Sequence, residues 1–372
     1  MSTLKVDAIR HNSATSDAIT TAADGTCTAR ITGMTGGGGL SHRNLVINGD
    51  FRIAQRATSS ASNGYASVDR WKMETSSITH NSTKSQQSLS SSDTPYTLGF
   101  RKFARIALAQ AGVVASNSAA EIQQRIEAQD IATSGWNYGS ASSNITLQFW
   151  FRCSTNQTFY GYFYSFDGTA QVYTFSFTAS GNNTWTKITK TIPGNSNLTF
   201  NNDTGPGLQL KLIGFYGTDY TNNKTLDQWA ANDGANQMPD MASTWLTAGA
   251  STFDVTGIQI EIGDSATDFE HLTFDENLSR CQRYFIKHTL VSGAATAYNA
   301  YSDGYRWWVS FSKQMRDTPT MTSSGGGDGG SNASFNIVYV SKEGYTARIE
   351  STTTSSQVVW WYGATVLAES EI

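Results

Sequence analysis

Charge is what this sequence has least of. Asp, Glu, Lys and Arg make up 15% of its 372 residues, against about a quarter in an average soluble domain. Acids exceed bases by 30 to 26 and no Lys/Arg run occurs, so there is no electrostatic footprint for a nucleic acid. No apolar stretch reaches the ~18 residues of a membrane-spanning helix, and no membrane insertion is expected. The opening residues MSTLKVDAIRHNSAT contain no apolar h-region, which gives the expectation of a protein without a secretory leader. Cysteine is scarce: Cys27, Cys153 and Cys281 are odd in number and far apart. That excludes a disulfide framework and a Cys-based metal site, and leaves inert or buried thiols. Lys, Glu and Leu are sparse, which argues against a helical bundle, a coiled coil or an α/β enzyme with long amphipathic helices. There is no HExxH, no GxSxG, no P-loop and no GxGxxG opening a helix. Nor is there a repeat of ~20–30 residues of the kind that builds a β-helix.

What is present is Thr, Ser, Asn, 33 Gly and 12% aromatics, a strand-and-turn composition with enough aromatic bulk to build cores. Period-2 alternation recurs at short intervals. In ITLQFWFR, Ile145, Leu147, Phe149 and Phe151 face one way, and Thr146, Gln148, Trp150 and Arg152 the other. IQQRIEA, TFYGYFYSF, VYTFSFT, WTKITKTI, LQLKLIGF and FDVTGIQIEI follow the same rule between Gly, Asn, Asp and Ser clusters. The fold class is therefore all-β, an antiparallel sandwich or barrel with polar outer faces.

Three parts are expected. Residues 1–43 hold few apolar groups, two short strand-like pieces (TLKVDAI and TCTARI) around an Asp24-Gly25 turn, and a Gly36–Gly39 link. Such an arm cannot build a core alone and needs pairing from elsewhere, or stays a disordered tail. Residues 44–275 form the main β domain, in which NLVINGDF (44–51) reads as the first strand and ends at a turn. Residues 276–372 form a smaller β domain with a short helix at ENLSRCQRYF and a Gly-rich hairpin loop, SSGGGDGGSNA. Its paired tryptophans, Trp307-Trp308 and Trp360-Trp361, place one indole on each face of a strand. The outward ones are candidates for an intersubunit contact.

Some motifs have a chemical look. Gly263-Asp264-Ser265 and Asp268-Phe269-Glu270-His271 resemble two blocks of GDS-type esterases, but they stand three residues apart rather than at opposite ends of a domain. Asp203-Thr204-Gly205 sits in a polar turn. The five histidines are dispersed. The expectation is no enzyme and no catalytic residue.

The segments NLVINGDFRIAQRAT, YASVDRWKM, IQQRIEAQDI, WTKITKTIPG and VTGIQIEIGDSATDFEHLTFDENLSRCQRYFIK, in that order, resemble the tail-fibre and related virion appendage proteins of tailed bacteriophages. The block from the last strand to CQRYF is the most specific. The first 33 residues resemble the N-terminal attachment segment of appendage proteins from phages of marine cyanobacteria. QMRDTPTM resembles the C-terminal β domain that often follows CQRYF. The resemblance implies a jelly roll like a carbohydrate-binding module, and a non-enzymatic virion component made in the host cytoplasm. It further implies a homotrimer attached to other virion proteins through residues 1–43, with its distal part facing the host. A collar or capsid fibre without glycan binding is the alternative, with a polysaccharide-degrading tailspike behind it. The resemblance also implies a structural calcium ion joining the first and last strands. Asp50, Asp69 and Asp254 are the nearest candidates, unless they are turn formers or partners of Arg52 and Arg70.

A host-surface polysaccharide needs aromatic planes and planar polar side chains. Trp150 with Gln148 and Arg152 offers both on the non-core side of its strand. Gln123 and Arg125, with Glu127, lie on the non-core side of the strand expected beside it. Tyr160, Tyr162 and Tyr164 form a third row. The alternative is that a loop or another subunit covers this face.

Overall fold

In a computed structural model, the structure describes residues 6–10, 12, 15–21, 23, 27–29, 43–78, 81–290, 293–297, 305–328, 333–351 and 357–372. The chain is all-β. Its arm holds β1 (Ala8–Ile9), β2 (Ile19–Thr21) and β3 (Cys27–Ala29), paired antiparallel in that order. The expectation that the arm has no partner strands of its own is thereby corrected, since its pieces pair with each other. Gly36–Gly39 lie outside the described residues.

The body is an antiparallel jelly-roll β-sandwich. Its strands are β4 (Ser59–Ser60), β5 (Lys72–Ser76), β6 (Ser82–Ser88), β7 (Lys102–Leu108), β8 (Ala119–Glu127), β9 (Asn144–Cys153), β10 (Thr158–Ser165), β11 (Gln171–Thr178), β12 (Thr186–Pro193), β13 (Pro206–Tyr216), β14 (Trp229–Ala231) and β15 (Ser251–Ile262). Sheet one runs β14-β11-β10-β13-β8-β5, and sheet two runs β12-β9-β15-β7-β6-β4. Three one-turn helices, α1 (Thr94–Thr97), α2 (Ala128–Ala132) and α3 (Thr244–Thr247), punctuate the loops. The alternation of β9 sends Ile145, Leu147, Phe149, Phe151 and Cys153 inward, all fully buried. Phe151 meets Phe159, Phe177 and Phe253 at ring separations of 4.9 to 5.3 Å, so edge-to-face aromatics from both sheets knit one core.

NLVINGDF is not a strand; residues 44–51 form an irregular segment. It lies along β15 where that strand bulges between Thr256 and Gln259. Gly257 sits in the bulge at a φ of 63°, and a Cβ there would meet the Phe100 ring at 2.7 Å. Beside it the Ile258 amide donates to the Gly49 carbonyl at 2.9 Å. A Cβ on Gly49 would lie 2.0 Å from the Ile258 carbonyl oxygen. Both glycines are dictated by close backbone approach.

A fourth helix, α4 (Phe274–Gln282), leads out of the sandwich, capped by Thr273, whose hydroxyl accepts from the Glu276 amide as an N-cap threonine does. The C-terminal domain follows with β16 (Phe285–Leu290), β17 (Gly293–Ala297), β18 (Tyr305–Ser310), β19 (Thr320–Asp328), β20 (Ala333–Val338), β21 (Gly344–Ser351) and β22 (Gln357–Glu369). Strands β16, β17 and β19 all pair with β22, and β18, β21 and β20 make a second sheet. The expected Gly-rich loop is in large part strand β19, because β22 is long enough to pair with it from Thr320 to Asp328.

The two domains are locked by buried charge, and the CQRYF block is the lock. Arg283 donates to both carboxylate oxygens of Glu127 at 2.7 Å, and the Tyr284 hydroxyl donates to the same group at 2.5 Å. The fully buried Arg70 pairs with Glu371 and lies 3.4 Å from the Tyr284 ring centroid. Arg56 pairs with Glu369 and Glu371 at 3.3 Å and covers the Phe285 ring at 3.7 Å. Burial pushes the Glu127 carboxyl up, yet the bonds from Arg283 and Tyr284 outweigh it and hold it below its ordinary value. The Arg283–Glu127 pair tolerates burial because both carboxylate oxygens are occupied, whereas Arg70 Nε and Arg56 Nη1 are buried without a hydrogen-bond partner.

Candidate functional site

Strand register decides which expected residues share a face. Gln123 pairs with Lys211, and Lys211 with Tyr162. Arg125 pairs with Gln209, and Gln209 with Tyr164, while Glu121 pairs with Ile213 and Ile213 with Tyr160. These three rows cross β8, β13 and β10 on the outer face of sheet one, and β5 extends them with Lys72 opposite Gln123 and Glu74 opposite Glu121. The expected rows of Gln123, Arg125 and the three tyrosines are thus on one face.

The floor of this face is a polar network. Glu121, Gln123, Gln209 and Tyr162 are each no more than 4% exposed. Lys211 Nζ lies 3.0 and 3.1 Å from the two Glu121 oxygens, and the Tyr216 hydroxyl donates to Glu121. Gln123 donates to Glu121 at 2.6 Å and accepts from Gln209. Burial pushes the Tyr162 and Tyr216 phenols above their ordinary values. Burial alone would lower Lys211, but Tyr162 and Glu121 beside it raise it, so the floor keeps an ammonium.

One end of the face is roofed. Met238, Met241 and Tyr220 pack on Tyr160, Tyr162, Val172, Ile213 and Tyr216, and the Thr174 hydroxyl donates to the Gln237 carbonyl at 2.6 Å. The remainder presents partly exposed Tyr160, Tyr164, Phe166, Arg125, Lys72, Glu74 and Lys211. Tyr164 and Phe166 meet edge to face at 4.7 Å. Lys211, Gln209 and Phe166 are missing from the sequence reading. The alternation in LQLKL already places Gln209 and Lys211 opposite the leucines, so that signal was present.

The Trp150 row lies elsewhere. Strand β9 pairs with β12 and β15 in sheet two, not with β8 in sheet one, so Trp150, Gln148 and Arg152 are on the opposite side of the sandwich from Gln123 and Arg125. They are also covered. Gln148 is buried and donates to the Thr267 carbonyl at 2.6 Å. Arg152 bonds Asp254 and Asp93 at 3.0 and 3.2 Å and covers the Trp185 ring at 4.5 Å. Trp150 packs with Phe100, Phe103, Trp185 and Phe269. This satellite core draws on the segments around Tyr96–Phe100 and Phe269, so the alternative of a loop over this face is what the structure contains.

The expected calcium candidates each have protein partners. Asp50 pairs with Arg52 at 2.5 Å and accepts from Asn277 at 3.0 Å. Asp69 accepts from the Gln55 backbone at 2.8 Å and from its side chain. Asp254 is held between Arg105 and Arg152 on sheet two. Each of the three is thus engaged by donors of its own. Among the described residues, no group of three or more His, Cys, Asp or Glu could hold an ion.

Ser265 and His271 do not address each other. Ser265 donates to Asp264 at 3.0 Å, and the His271 ring lies against Phe100 with Nε2 at 2.9 Å from the Leu98 carbonyl oxygen. Asp203 caps the Gly205 amide at 2.9 Å. Of the paired tryptophans, Trp307 packs against the C-terminal core and Trp308 is 50% exposed. The side chains of Trp360 and Trp361 lie outside the described residues.

Two open clefts are lined by other residues than those of this face. One of about 440 Å³ is lined by Thr169, Gln171, Asn197, Thr199 and Trp229. The other, about 470 Å³, lies between the domains among Arg56, Tyr65, Phe285, Lys287 and Glu369.

No family model matches the chain, and no curated protein matches it. Among solved structures it is similar to the enzymatically active domain of tailspike protein 4 of bacteriophage CBA120, at 12% identity and a TM-score of 0.32. That overlap covers 59% of this chain and only 21% of the tailspike chain. It is also similar to a CBM4 module at 12% identity and a TM-score of 0.28, covering 58% of this chain and 98% of that one. The family 11 carbohydrate-binding module of cellulase Lic26A-Cel5E of Clostridium thermocellum overlaps at 11% identity and a TM-score of 0.26, covering 58% and 98%. Likeness at this level assigns no ligand.

Proposed function

We propose that the chain is a non-enzymatic component of a phage virion appendage that recognises a host-surface glycan through the outer face of sheet one. One observation carries the glycan part: Tyr160, Tyr162 and Tyr164 stand in register with Gln209, Lys211, Gln123 and Arg125. Aromatic planes beside planar amides and fixed charges are what sugar rings and hydroxyls require. The floor is preorganised, since its polar groups already hold one another. The sequence resemblance to tail-fibre proteins supports the virion setting. Attachment through residues 1–43 and a homotrimer belong to the same reading, with the half-exposed Trp308 as an intersubunit contact.

A fibre without glycan binding competes with it, favoured by the burial of Tyr162, Gln123 and Gln209. Adsorption of purified protein to host cells separates the two. Tyr160→Ala with Tyr164→Ala abolishes adsorption in the glycan reading and leaves it unchanged in the purely structural one. Release of reducing ends from host polysaccharide would overturn the non-enzymatic part.

A further inference from the structure

Resting on the glycan reading, we infer that the sugar taken by this face carries a carboxylate, and that Arg125 is the residue that binds it. Three cations stand on the face, and two are already neutralised: Lys72 by Glu74 at 2.8 Å and Lys211 by Glu121 at 3.0 Å. Arg125 differs. Among the described residues it has no ion pair, and its Nε is buried with no hydrogen-bond partner. The aromatic ring it covers is Phe166, at 5.1 Å, which in turn touches Tyr164. The Nε itself is closed to solvent, but Arg125 as a whole is partly exposed, so an anionic ligand can supply the charge partner that its guanidinium lacks.

The chemistry of the side chain fits an acid. A guanidinium offers a planar fork of donors that matches a carboxylate in a bidentate pair, and a neutral hydroxyl fills only one prong. Tyr164 and Phe166 place ring surface next to that fork, where the apolar face of a pyranose can lie. A hexuronate combines both features: a ring to stack and a carboxylate one bond from it. The chain's net charge of −4 repels polyanions at long range, so a local unpaired cation is needed to admit one.

Affinity electrophoresis of the full-length protein tests this in three gels: polygalacturonate, the same polymer with its carboxylates reduced to alcohols, and a neutral β-glucan. Wild type is expected to be retarded by polygalacturonate about tenfold more strongly than by the reduced polymer. Arg125→Gln is expected to lose that difference without a change in Tm, and Arg125→Lys, which keeps charge but not the fork, to recover it only in part. Equal retardation by the acidic and reduced polymers, unchanged in Arg125→Gln, overturns the carboxylate inference and leaves the glycan reading standing. Retardation in none of the three gels overturns the inference. If whole host-surface polysaccharide also fails to retard the protein, the glycan reading falls with it.

Discussion

The two outer faces of the sandwich have similar alphabets and opposite fates. Sheet two offers Gln148, Trp150 and Arg152, and every one is engaged: by the Thr267 carbonyl, by a satellite aromatic core, and by Asp254 with Asp93. Sheet one offers Gln123, Arg125 and three tyrosines, and there the polar groups satisfy one another as a floor while part of the face stays open. Alternation along a strand reports which side is not the core. It does not report whether that side meets water or a loop, because the covering segments are distant in sequence: Thr267 lies 119 residues from Gln148.

The largest effect that would break this contrast is on the sealed face. Asp254→Ala leaves Arg105 and Arg152 facing each other without their shared carboxylate. It is expected to cost about 3–5 kcal/mol in urea unfolding. A loss under about 1 kcal/mol, within the range of an exposed pair, would mean that this face is solvated. Trp150→Ala is next, at about 2 kcal/mol for a partly buried indole, with host-cell adsorption of the folded protein unchanged. Lost adsorption at full stability would move the glycan site to sheet two.

The junction gives a pH test of intermediate size. Asp69 is raised to about 6, by burial first, against the lowering bonds from Gln55. Its folded state therefore holds the proton more tightly than the unfolded chain. Between about 4 and 6 this residue makes stability fall as pH rises, by at most about 1.4 kcal/mol per unit. Glu127 acts with the opposite sign, because its lowered carboxyl contributes stability that is lost as pH falls below its ordinary value. Chemical denaturation of Asp69→Asn across this range is expected to show a more positive slope with pH than wild type. An unaltered slope would remove Asp69 from the account. The smallest effect on stability belongs to the open face. Tyr164→Ala should change Tm little and weaken glycan binding about tenfold in affinity electrophoresis.

Much of the fold is legible from period-2 patterns. Strands β8 to β13 and β15 fall on the alternating segments, and the five inward residues of β9 are all buried. What escapes is long-range pairing. β9 finds β15 about a hundred residues on, with Cys153 opposite Phe253, so no local signal separates it from β8. The Gly-rich stretch reads as a loop by composition and becomes β19 because β22 pairs with it. The CQRYF block is distinctive as a string, but its role as the interdomain lock depends on Glu127, 156 residues before Arg283. At the site, the tyrosine row is visible in TFYGYFYSF. The alternation in LQLKL puts Gln209 and Lys211 on a non-core side, but only the register of β13 places them opposite Tyr164 and Tyr162.

Hydroxyl-radical footprinting of the wild-type protein with and without host-surface polysaccharide tests the division of labour between the two faces most directly. The account predicts that polysaccharide protects Tyr160, Tyr164 and Phe166 from oxidation and leaves Trp150 and Trp185 unchanged. Protection of Trp150 or Trp185 with none at Tyr164 and Phe166 would contradict it.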